Sequence, residues 1–443
     1  MTTIKSYNDA LNFIFSLRKP RENYTPGIHL ERLKIFLNEV GNPQDDYKII
    51  HVGGTSGKGS VTYLTAKILI EHGLKTGSHT SPHLLSINEK FQINHNNISN
   101  AKLIELTQWL KSSLVNFESK FNLQLSYYEG IIAMVFKYFS INQVDVAVIE
   151  VGLGGKLDAT NVVNSQIAVL TNIGLDHMEI LGNTKEEILK DKVEIMKQNA
   201  IFITGVTEPY LQMIIKKNAL KRNNTLYIYE KDFYPLSPEI SKNSNKFDFK
   251  TQSEIITDIN LTLAGEFQIQ NACLAIQAAK LFLAQKFNPD AIKSALSTSQ
   301  FMGRFQTIQK SPPIMLDGAH NESKMRALAK SINPLYKGKQ LIALISFKKG
   351  KDLNLIIEEF IKLNLKTVII TEFVWEYYDK LESYPAESIK IQLEKYRKDI
   401  NIIIVKDPIM AFQLAKKTQN REELLLVTGS LYLIGTLLQE IKL

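Results

Sequence analysis

The chain of 443 residues contains a single cysteine, Cys273, so no disulfide bond can form within it. It has no run of about 18 or more apolar residues, which excludes a membrane-spanning helix. Its N-terminus lacks the basic start, apolar stretch and small-residue cleavage site of a signal peptide. From these absences we expect a cytoplasmic protein that does not contact a membrane.

Charge of one sign is not concentrated anywhere in the chain. The 53 Lys and Arg residues against 45 Asp and Glu residues give a net charge of +8, spread without a block of five or six like charges. No basic stripe is interleaved with aromatic residues, so nucleic-acid binding is not indicated. The surplus suits an anionic partner such as a nucleotide or polycarboxylate, or it is simply a lysine-rich surface.

The hydrophobic pattern of the first half predicts alternating strands and helices. Apolar, β-branched runs at 48–53, 144–151 and 166–170 are typical of buried strands, and 61–72 has helical spacing. Residues 236–262 are polar and mixed, which predicts a small peripheral sheet. The class indicated is α/β.

Capping residues predict where several helices begin. Ser126 with Glu129 forms a capping box for a helix running to about residue 139, and Thr184 with Glu187 forms one for a helix running to about 197. A further long helix is predicted to begin near Glu266.

The second half alternates more regularly and predicts a separate parallel α/β domain. Its strand-like runs are at 314–317, 341–346, 367–371, 401–405 and 424–428. A chain of this length exceeds what one hydrophobic core usually supports, so two domains are expected. The segment MGRFQTIQKSPP near 300–312, with its glycine and proline pair, is the predicted boundary.

The loop after the first predicted strand has the composition of a phosphate site. Glycines let backbone N–H groups approach phosphate oxygens, and the following helix start adds partial positive charge. Lys58 can neutralise the terminal phosphates, although Gly59 stands where the common pattern places Ser or Thr. The predicted nucleotide-binding loop consists of Gly54, Thr55, Ser56, Gly57, Lys58, Gly59 and Ser60.

Titratable side chains follow two other predicted strands. Glu150 ends a buried strand before a glycine turn, where a carboxylate is costly unless it binds a cation or a donor. His177 follows the strand at 166–170. Ligands of α/β sheets bind at the carboxyl ends of strands, so we expect both side chains to face the cleft that holds the phosphate loop.

Further polar residues lie at the predicted long helix and at the boundary. Gln268 and Asn271 are three residues apart and share one helix face, so both can address one ligand. Arg304 can bridge phosphate oxygens as a planar, permanently charged fork. Asp317 and His320 lie in a turn between a predicted strand and helix of the second domain.

These segments together resemble the folylpolyglutamate synthase/dihydrofolate synthase family of the Mur ligase superfamily. The similar segments, in the family's order, are GTSGKGS at 54–60, TSPHL at 80–84, EVGLGGKLDATN at 150–161, GEFQIQNA at 265–272, GRF at 303–305, DGAHN at 317–321 and TGSLYL at 428–433. The chain departs from the family where Ser56 replaces asparagine, Lys156 arginine, Phe267 histidine and Met302 proline.

The resemblance implies an N-terminal P-loop, Mur-ligase-like domain over 1–299, a linker over 300–312 and a smaller, Rossmann-like α/β domain over 313–443. It implies magnesium ligands at Ser81, Glu150 and His177, folate contacts at Pro82 and His83, and a pterin contact at Asp158. It implies nucleotide contacts from Gln268, Asn271, Arg304, Asp317 and His320.

Lys192 matches the position at which the family carries a lysine carbamylated by CO2, whose carbamate holds a second magnesium ion. The surrounding DKVEI departs from the family's EKAGI, with Glu194 where glycine is usual. The catalytic set implied is Lys58, Glu150, His177 and Lys192.

The resemblance implies an ATP- and magnesium-dependent ligase that adds L-glutamate to a folate or dihydropteroate carboxylate through an acyl phosphate. We expect it to act as a monomer. Which acid it accepts stays open. The alternatives are another Mur-type amide ligase, a P-loop kinase or ATPase of another class, and a non-catalytic P-loop nucleotide-binding protein.

Overall fold

The computed structural model describes residues 3–17, 28–375 and 381–441. In these ranges the chain forms two large sheets, each covered by helices, and two small antiparallel sheets. No helix within the described ranges is long and apolar enough to cross a membrane. The predicted α/β class is confirmed.

The first large sheet is mostly parallel and has the order β4-β3-β2-β5-β1-β6-β7-β8. Its strands are β1 (Lys48–Gly53), β2 (Thr76–His79), β3 (Gln92–Ile93), β4 (Asn96–Asn97), β5 (Val146–Glu150), β6 (Ile167–Leu170), β7 (Ile201–Thr204) and β8 (Thr225–Ile228). Only the short β3 and β4 pair antiparallel. Strand β1 lies between β5 and β6, so the loop after it opens at the middle of the sheet.

Helices cover both faces of this sheet. They are α1 (Tyr7–Ser16), α2 (Ile28–Glu39), α3 (Lys58–Glu71), α4 (Asn100–Phe121), α5 (Tyr127–Ile141), α6 (Met178–Leu181), α7 (Lys185–Lys192), α8 (Pro209–Lys221), α9 (Phe267–Leu283) and α10 (Pro289–Ser297). Ile50 packs in a core with α3, α9 and α10, whereas its neighbour Ile49 packs in the core with α4 and α5. Burial on both faces explains why the strands read as nearly continuous apolar runs.

Two predicted capping boxes are present, but one helix is shorter than predicted. Ser126 and Glu129 cap α5, and Thr184 and Glu187 cap α7. The predicted helix to about 197 ends at Lys192 and continues only as a 3-10 turn, Val193–Ile195. The Asn161 side-chain amide donates to the Glu194 carbonyl at 3.3 Å. In a longer helix, that carbonyl would accept a backbone N–H instead.

The predicted peripheral sheet is confirmed as three antiparallel strands, β9 (Phe233–Ile240), β10 (Asn245–Thr251) and β11 (Ile255–Leu261). Helix α9 follows it and begins at Phe267, as predicted.

The second large sheet has the order β12-β13-β19-β14-β15-β18 and is parallel apart from β12. Its strands and the adjoining hairpin are β12 (Gln306–Lys310), β13 (Pro313–Asp317), β14 (Leu341–Ile345), β15 (Leu365–Ile370), β16 (Val374–Trp375), β17 (Leu381–Glu382), β18 (Asn401–Ile404) and β19 (Leu424–Thr428). The helices are α11 (Glu322–Leu335), α12 (Leu353–Phe360), α13 (Ala386–Tyr396), α14 (Pro408–Thr418) and α15 (Leu431–Ile441). All five predicted strands are present.

The division into 1–299, 300–312 and 313–443 stays a prediction, with one difference at the linker. Strand β12 falls inside 300–312 and pairs with β13, so that part of the predicted linker is an edge of the second sheet.

Candidate active site between the two sheets

Hydrogen bonds to the residues directly after β6 fix the conformation of the loop between β1 and α3. The Ser56 N–H donates to the Asn172 side-chain oxygen at 2.9 Å, and the Thr171 hydroxyl donates to the Ser56 carbonyl at 2.6 Å. Gly54 has a φ of +137°, and a Cβ there would lie 1.9 Å from the Thr171 hydroxyl oxygen. Glycine is therefore required at that position.

Helix α3 presents its N-terminus to the same loop. It begins at Lys58 after Gly57, which provides no side-chain cap, so N–H groups of the first turn are left for a ligand. Among the residues that the structure describes, the Lys58 ammonium donates only to the Gly54 carbonyl, at 3.2 Å. This arrangement suits the phosphates of a nucleotide.

Glu150, the last residue of β5, lies beside this loop, since its Oε2 is 3.4 Å from where a Cβ on Gly59 would stand. The carboxylate is buried and accepts the Ser81 N–H at 2.9 Å. Burial raises the pKa of the Glu150 carboxyl, although Lys58 and the Ser81 N–H act against that rise. A carboxylate in this state gains from a cation placed beside it.

Lys192, the last residue of α7, is buried and lines the same cavity. Burial, followed by the nearby Lys58 ammonium, lowers the pKa of Lys192 to about 7, while Asp191 acts to raise it. Glu194 pairs with Arg222 at 2.7 Å. A large neutral fraction of the Lys192 amine at neutral pH is what carbamylation needs.

His177 and Asp176 meet residues of the second sheet. The Asp176 carboxylate accepts from the Lys351 ammonium at 2.6 Å and from the Asn321 amide at 2.8 Å. Burial acts to raise the pKa of Asp176, but Lys351 and His177 outweigh it and hold that pKa well below its usual range. Burial, then Lys351, lowers the pKa of His177 to about 4, so its imidazole is neutral.

The second domain contributes three predicted side chains to the cavity, those of Arg304, Asp317 and His320. The Asp317 carboxylate accepts the Phe305 N–H at 2.8 Å and the Ala319 N–H at 2.9 Å, which fixes the turn beside β13. The half-buried Arg304 guanidinium lies 5.5 Å from the Phe301 ring centre. Burial, followed by Lys324, holds the pKa of His320 well below its usual value, so the ring is neutral. Its Nδ1 donates to the Gly318 carbonyl at 2.7 Å, which leaves Nε2 as an acceptor.

Most predicted site residues line one cavity of about 320 Å³ between the sheets. They are Gly54, Thr55, Ser56, Gly57, Lys58, Gly59, Ser60, Ser81, Pro82, Glu150, His177, Lys192, Asn271, Arg304, Asp317 and His320. Three predicted residues lie outside its wall. Gln268 is buried behind Asn271 and accepts its amide at 2.9 Å, and His83 is buried 6.3 Å from the Trp375 ring.

The third residue, Asp158, lines a neighbouring cavity of about 430 Å³ that shares Leu153 and Gly154 with the first. Its carboxylate accepts the Thr160 hydroxyl at 2.5 Å and the Leu153 N–H at 2.8 Å. The buried His51 ring lies 2.8 Å from the same hydroxyl. This cavity, walled also by Tyr128, Leu157 and Ile180, combines apolar and polar groups, as small-molecule sites commonly do.

Sequence reasoning missed several residues of the first cavity. Lys324, Ser323 and Phe267 line it, and Asp176 and Lys351 join the two sheets beside it. Lys324 reads as an ordinary helix lysine. Asp176 and Lys351 are 175 residues apart, so only the closed arrangement of the sheets pairs them.

The donor set fits magnesium. Within the described ranges, no group of three or more His, Cys, Asp and Glu side chains is arranged to hold a metal ion. Magnesium, however, is usually bound by one or two carboxylates together with substrate phosphates and water. Glu150 and the Ser81 hydroxyl beside the phosphate loop offer that chemistry.

Two family models match the chain. That of the Mur ligase middle domain matches residues 52–279, and that of the dihydrofolate synthetase C-terminal domain matches residues 300–440. The dihydrofolate synthase/folylpolyglutamate synthase of Bacillus subtilis is 30% identical over 99% of this chain and 99% of that protein. The folylpolyglutamate synthase of Lacticaseibacillus casei is 32% identical over 75% of this chain and 77% of that protein.

The fold is also similar to solved structures. The Mycobacterium tuberculosis folylpolyglutamate synthase complexed with ADP and AMPPCP superposes with a TM-score of 0.86, at 25% identity, over 93% of this chain and 95% of that chain. Two α/β sheets that meet at a phosphate loop define a two-domain Mur-type architecture. The chain belongs to the folylpolyglutamate synthase/dihydrofolate synthase family. The predicted resemblance is thereby confirmed.

Proposed function

We propose that this protein is an ATP- and magnesium-dependent ligase that joins L-glutamate to the carboxylate of a folate or dihydropteroate acid. The observation that carries the proposal is one cavity lined by the phosphate loop, Glu150 and Lys192 from one sheet and by Arg304 and His320 from the other. A P-loop kinase or ATPase of another class would not need Arg304 and His320 from a second sheet. The names of the relatives support the acid and amino-acid substrates.

The proposed reaction has two steps. A carboxylate oxygen of the folate-type acid attacks the γ-phosphorus of ATP, which forms an acyl phosphate and releases ADP. The amine of L-glutamate then attacks the acyl carbon, inorganic phosphate leaves, and the amine loses a proton as the amide forms. ATP is needed because a free carboxylate is a poor electrophile.

The chain's own residues would bind and orient these groups. Lys58 and the N–H groups at the start of α3 would neutralise the phosphate oxygens, and Arg304 would approach them from the other sheet. Magnesium held by Glu150 and Ser81, with His177 as a further predicted ligand, would supply positive charge to the phosphates. Closure of the two sheets would exclude water, which would otherwise hydrolyse the acyl phosphate.

The neighbouring cavity is our proposed site for the pterin ring. The Asp158 carboxylate is held by the Thr160 hydroxyl and the Leu153 N–H, and it can accept from the donor edge of a pterin. The cavity shares Leu153 and Gly154 with the phosphate cavity, so an acid bound there could extend its carboxylate towards ATP.

Two finer proposals concern Lys192 and the assembly. The buried amine of Lys192, whose pKa is lowered to about 7, would react with CO2 to give a carbamate and a proton, and the carbamate would hold a second magnesium ion. We expect the reaction to take place in the cytoplasm, where ATP is available. A monomer should suffice, since residues of one chain line both cavities.

The test is phosphate release by the purified protein with ATP, magnesium and L-glutamate. Pteroate, dihydropteroate and tetrahydrofolate are each supplied in turn. We expect release that requires both L-glutamate and at least one acid. The Lys58→Met variant should show none, because the loop then lacks its cation. Phosphate release that depends on neither L-glutamate nor any of the acids would refute the proposal and would favour an ATPase.

A further inference from the structure

A lysine outside the predicted site faces the phosphate loop from the second sheet. Lys324 is the third residue of α11, which follows β13 and the turn that carries Asp317 and His320. Its side chain lines the cavity between the sheets, and its ammonium lies 3.1 Å from His320 Nε2. Because His320 Nδ1 donates to the Gly318 carbonyl, Nε2 is the acceptor that orients this ammonium.

Lys324 differs from the other cations of its helix. Arg326 pairs with Glu322 and Glu359, and Lys330 pairs with Glu266 at 2.9 Å. Lys324 makes no ion pair with a carboxylate in the part of the chain that the structure describes, and its ammonium contacts the neutral His320 ring. Lys324 is half-buried, and a partly desolvated ammonium without a counter-ion is costly, so a ligand anion would offset that cost.

The surroundings of Lys324 are cationic on the side of the phosphate loop. Burial, followed by Lys58, lowers the pKa of Lys324 to about 7, and Arg304 acts in the same direction, whereas Asp176 raises it. Lys58 and Arg304 also form no ion pair with a carboxylate within the described ranges. Lys58, Arg304 and Lys324 line one cavity. Asp317 and Glu150 attract Arg304 without forming an ion pair with it. Cations arranged in this way indicate a ligand with more than one negative charge.

We propose that Lys324 binds an oxyanion of a reactant opposite the phosphate loop, so that this oxyanion is held from both sheets at once. The oxyanion is either the terminal phosphate of ATP or a carboxylate of L-glutamate. This inference rests on the proposed function. Lys324 would then supply a positive charge from the second sheet. Reactant binding would favour closure of the two sheets, and closure would favour reactant binding.

The experiment compares Lys324→Met with Lys324→Arg and with Lys330→Met, a matched control on the exposed side of the same helix. The KM of each substrate and kcat are measured, and calorimetry gives the affinities for ADP and for β,γ-methylene-ATP. Lys324→Met should lose a charge-assisted hydrogen bond, and so weaken one reactant roughly tenfold or more. Lys324→Arg should recover part of the loss, and Lys330→Met should match the wild type.

The pattern of the loss identifies the oxyanion. Weaker binding of β,γ-methylene-ATP with unchanged ADP affinity assigns Lys324 to the terminal phosphate. A raised KM for L-glutamate with unchanged nucleotide affinities assigns it to the amino-acid carboxylate.

The inference is overturned if Lys324→Met matches Lys330→Met in every constant while the wild type is active. If the wild type itself shows no acid-dependent use of glutamate, the proposed function fails instead. The nucleotide affinities then still test Lys324 at the phosphate. Thermal unfolding confirms that each variant folds, and Lys324→Gln carries the same test if Lys324→Met unfolds.

Discussion

The ion pair between Asp176 and Lys351 is the contact that we expect to couple nucleotide use to the approach of the two sheets. Asp176 follows β6 of the first sheet, and both of its side-chain partners, Lys351 and Asn321, come from the second. The Lys351 and Asp176 side chains are only 12% and 9% exposed, so solvent screens their attraction weakly. Asp176→Asn keeps the shape of the side chain and removes its charge.

The magnitude follows from the loss of one charge-assisted hydrogen bond in a mostly buried place. Such a bond contributes about 1.5–3 kcal/mol, which corresponds to roughly a 10- to 150-fold loss in kcat/KM for ATP if the bond forms only on closure. The pKa of Asp176 lies well below its usual range, so the pair is intact above the ordinary pKa of about 4. Its contribution should be lost only as the pH falls below that value.

The assay is a double-mutant cycle in kcat/KM for ATP with Asp176→Asn, Lys351→Met and the double variant. The matched control is the pair between Lys330 and Glu266, which also joins the two domains at 2.9 Å but is 70% and 42% exposed. An exposed pair is expected to contribute at most about 1 kcal/mol. If the coupling energy of Asp176 and Lys351 does not exceed that of the control, the contact does not couple closure to ATP use.

Three further predictions concern single side chains. Glu150→Gln should raise the magnesium concentration needed for half-maximal activity, which a magnesium titration measures. Because the substitution removes a buried charge, the free energy of unfolding, measured by chemical denaturation, should be unchanged or higher. Lys192 should give a carbamate signal in NMR spectra with ¹³C-labelled CO2, one that grows as the pH rises through about 7 and is absent from Lys192→Ala. Thr160→Val should raise the KM for the folate-type acid and spare that for ATP, because Asp158 loses its hydroxyl donor, and Thr160→Ser should restore it; equal effects on both KM values would contradict this role.

Much of the fold could be predicted because local pattern and final burial agree. The apolar run ending at Glu150 reads as a strand, and it is buried on both faces in the sheet. The capping box of Ser126 and Glu129 specified the start of α5. The end of α7 could not be predicted, because the Glu194 carbonyl accepts a hydrogen bond from Asn161, which is distant in the sequence.

The predicted site residues cluster where strand ends and glycine turns carry a local signal. The phosphate loop and His177 follow strands of the first sheet, Glu150 ends one, and all of them line one cavity. Gln268 and Asn271 share a helix face, yet only Asn271 reaches the cavity, since Gln268 is turned into the core. The role of Lys324 depends on which way α11 faces, and that is set by the packing of the second sheet against the first.

The most direct test of the proposed acyl phosphate is the fate of the oxygen in the acid's carboxylate. The acid that supports phosphate release is labelled with ¹⁸O in that carboxylate and incubated with ATP, magnesium and L-glutamate. We expect a product enlarged by one glutamyl residue, and one ¹⁸O atom transferred to inorganic phosphate for each amide bond formed. Amide formation without transfer of the label would contradict an acyl phosphate, and phosphate release without any amide product would contradict a ligase.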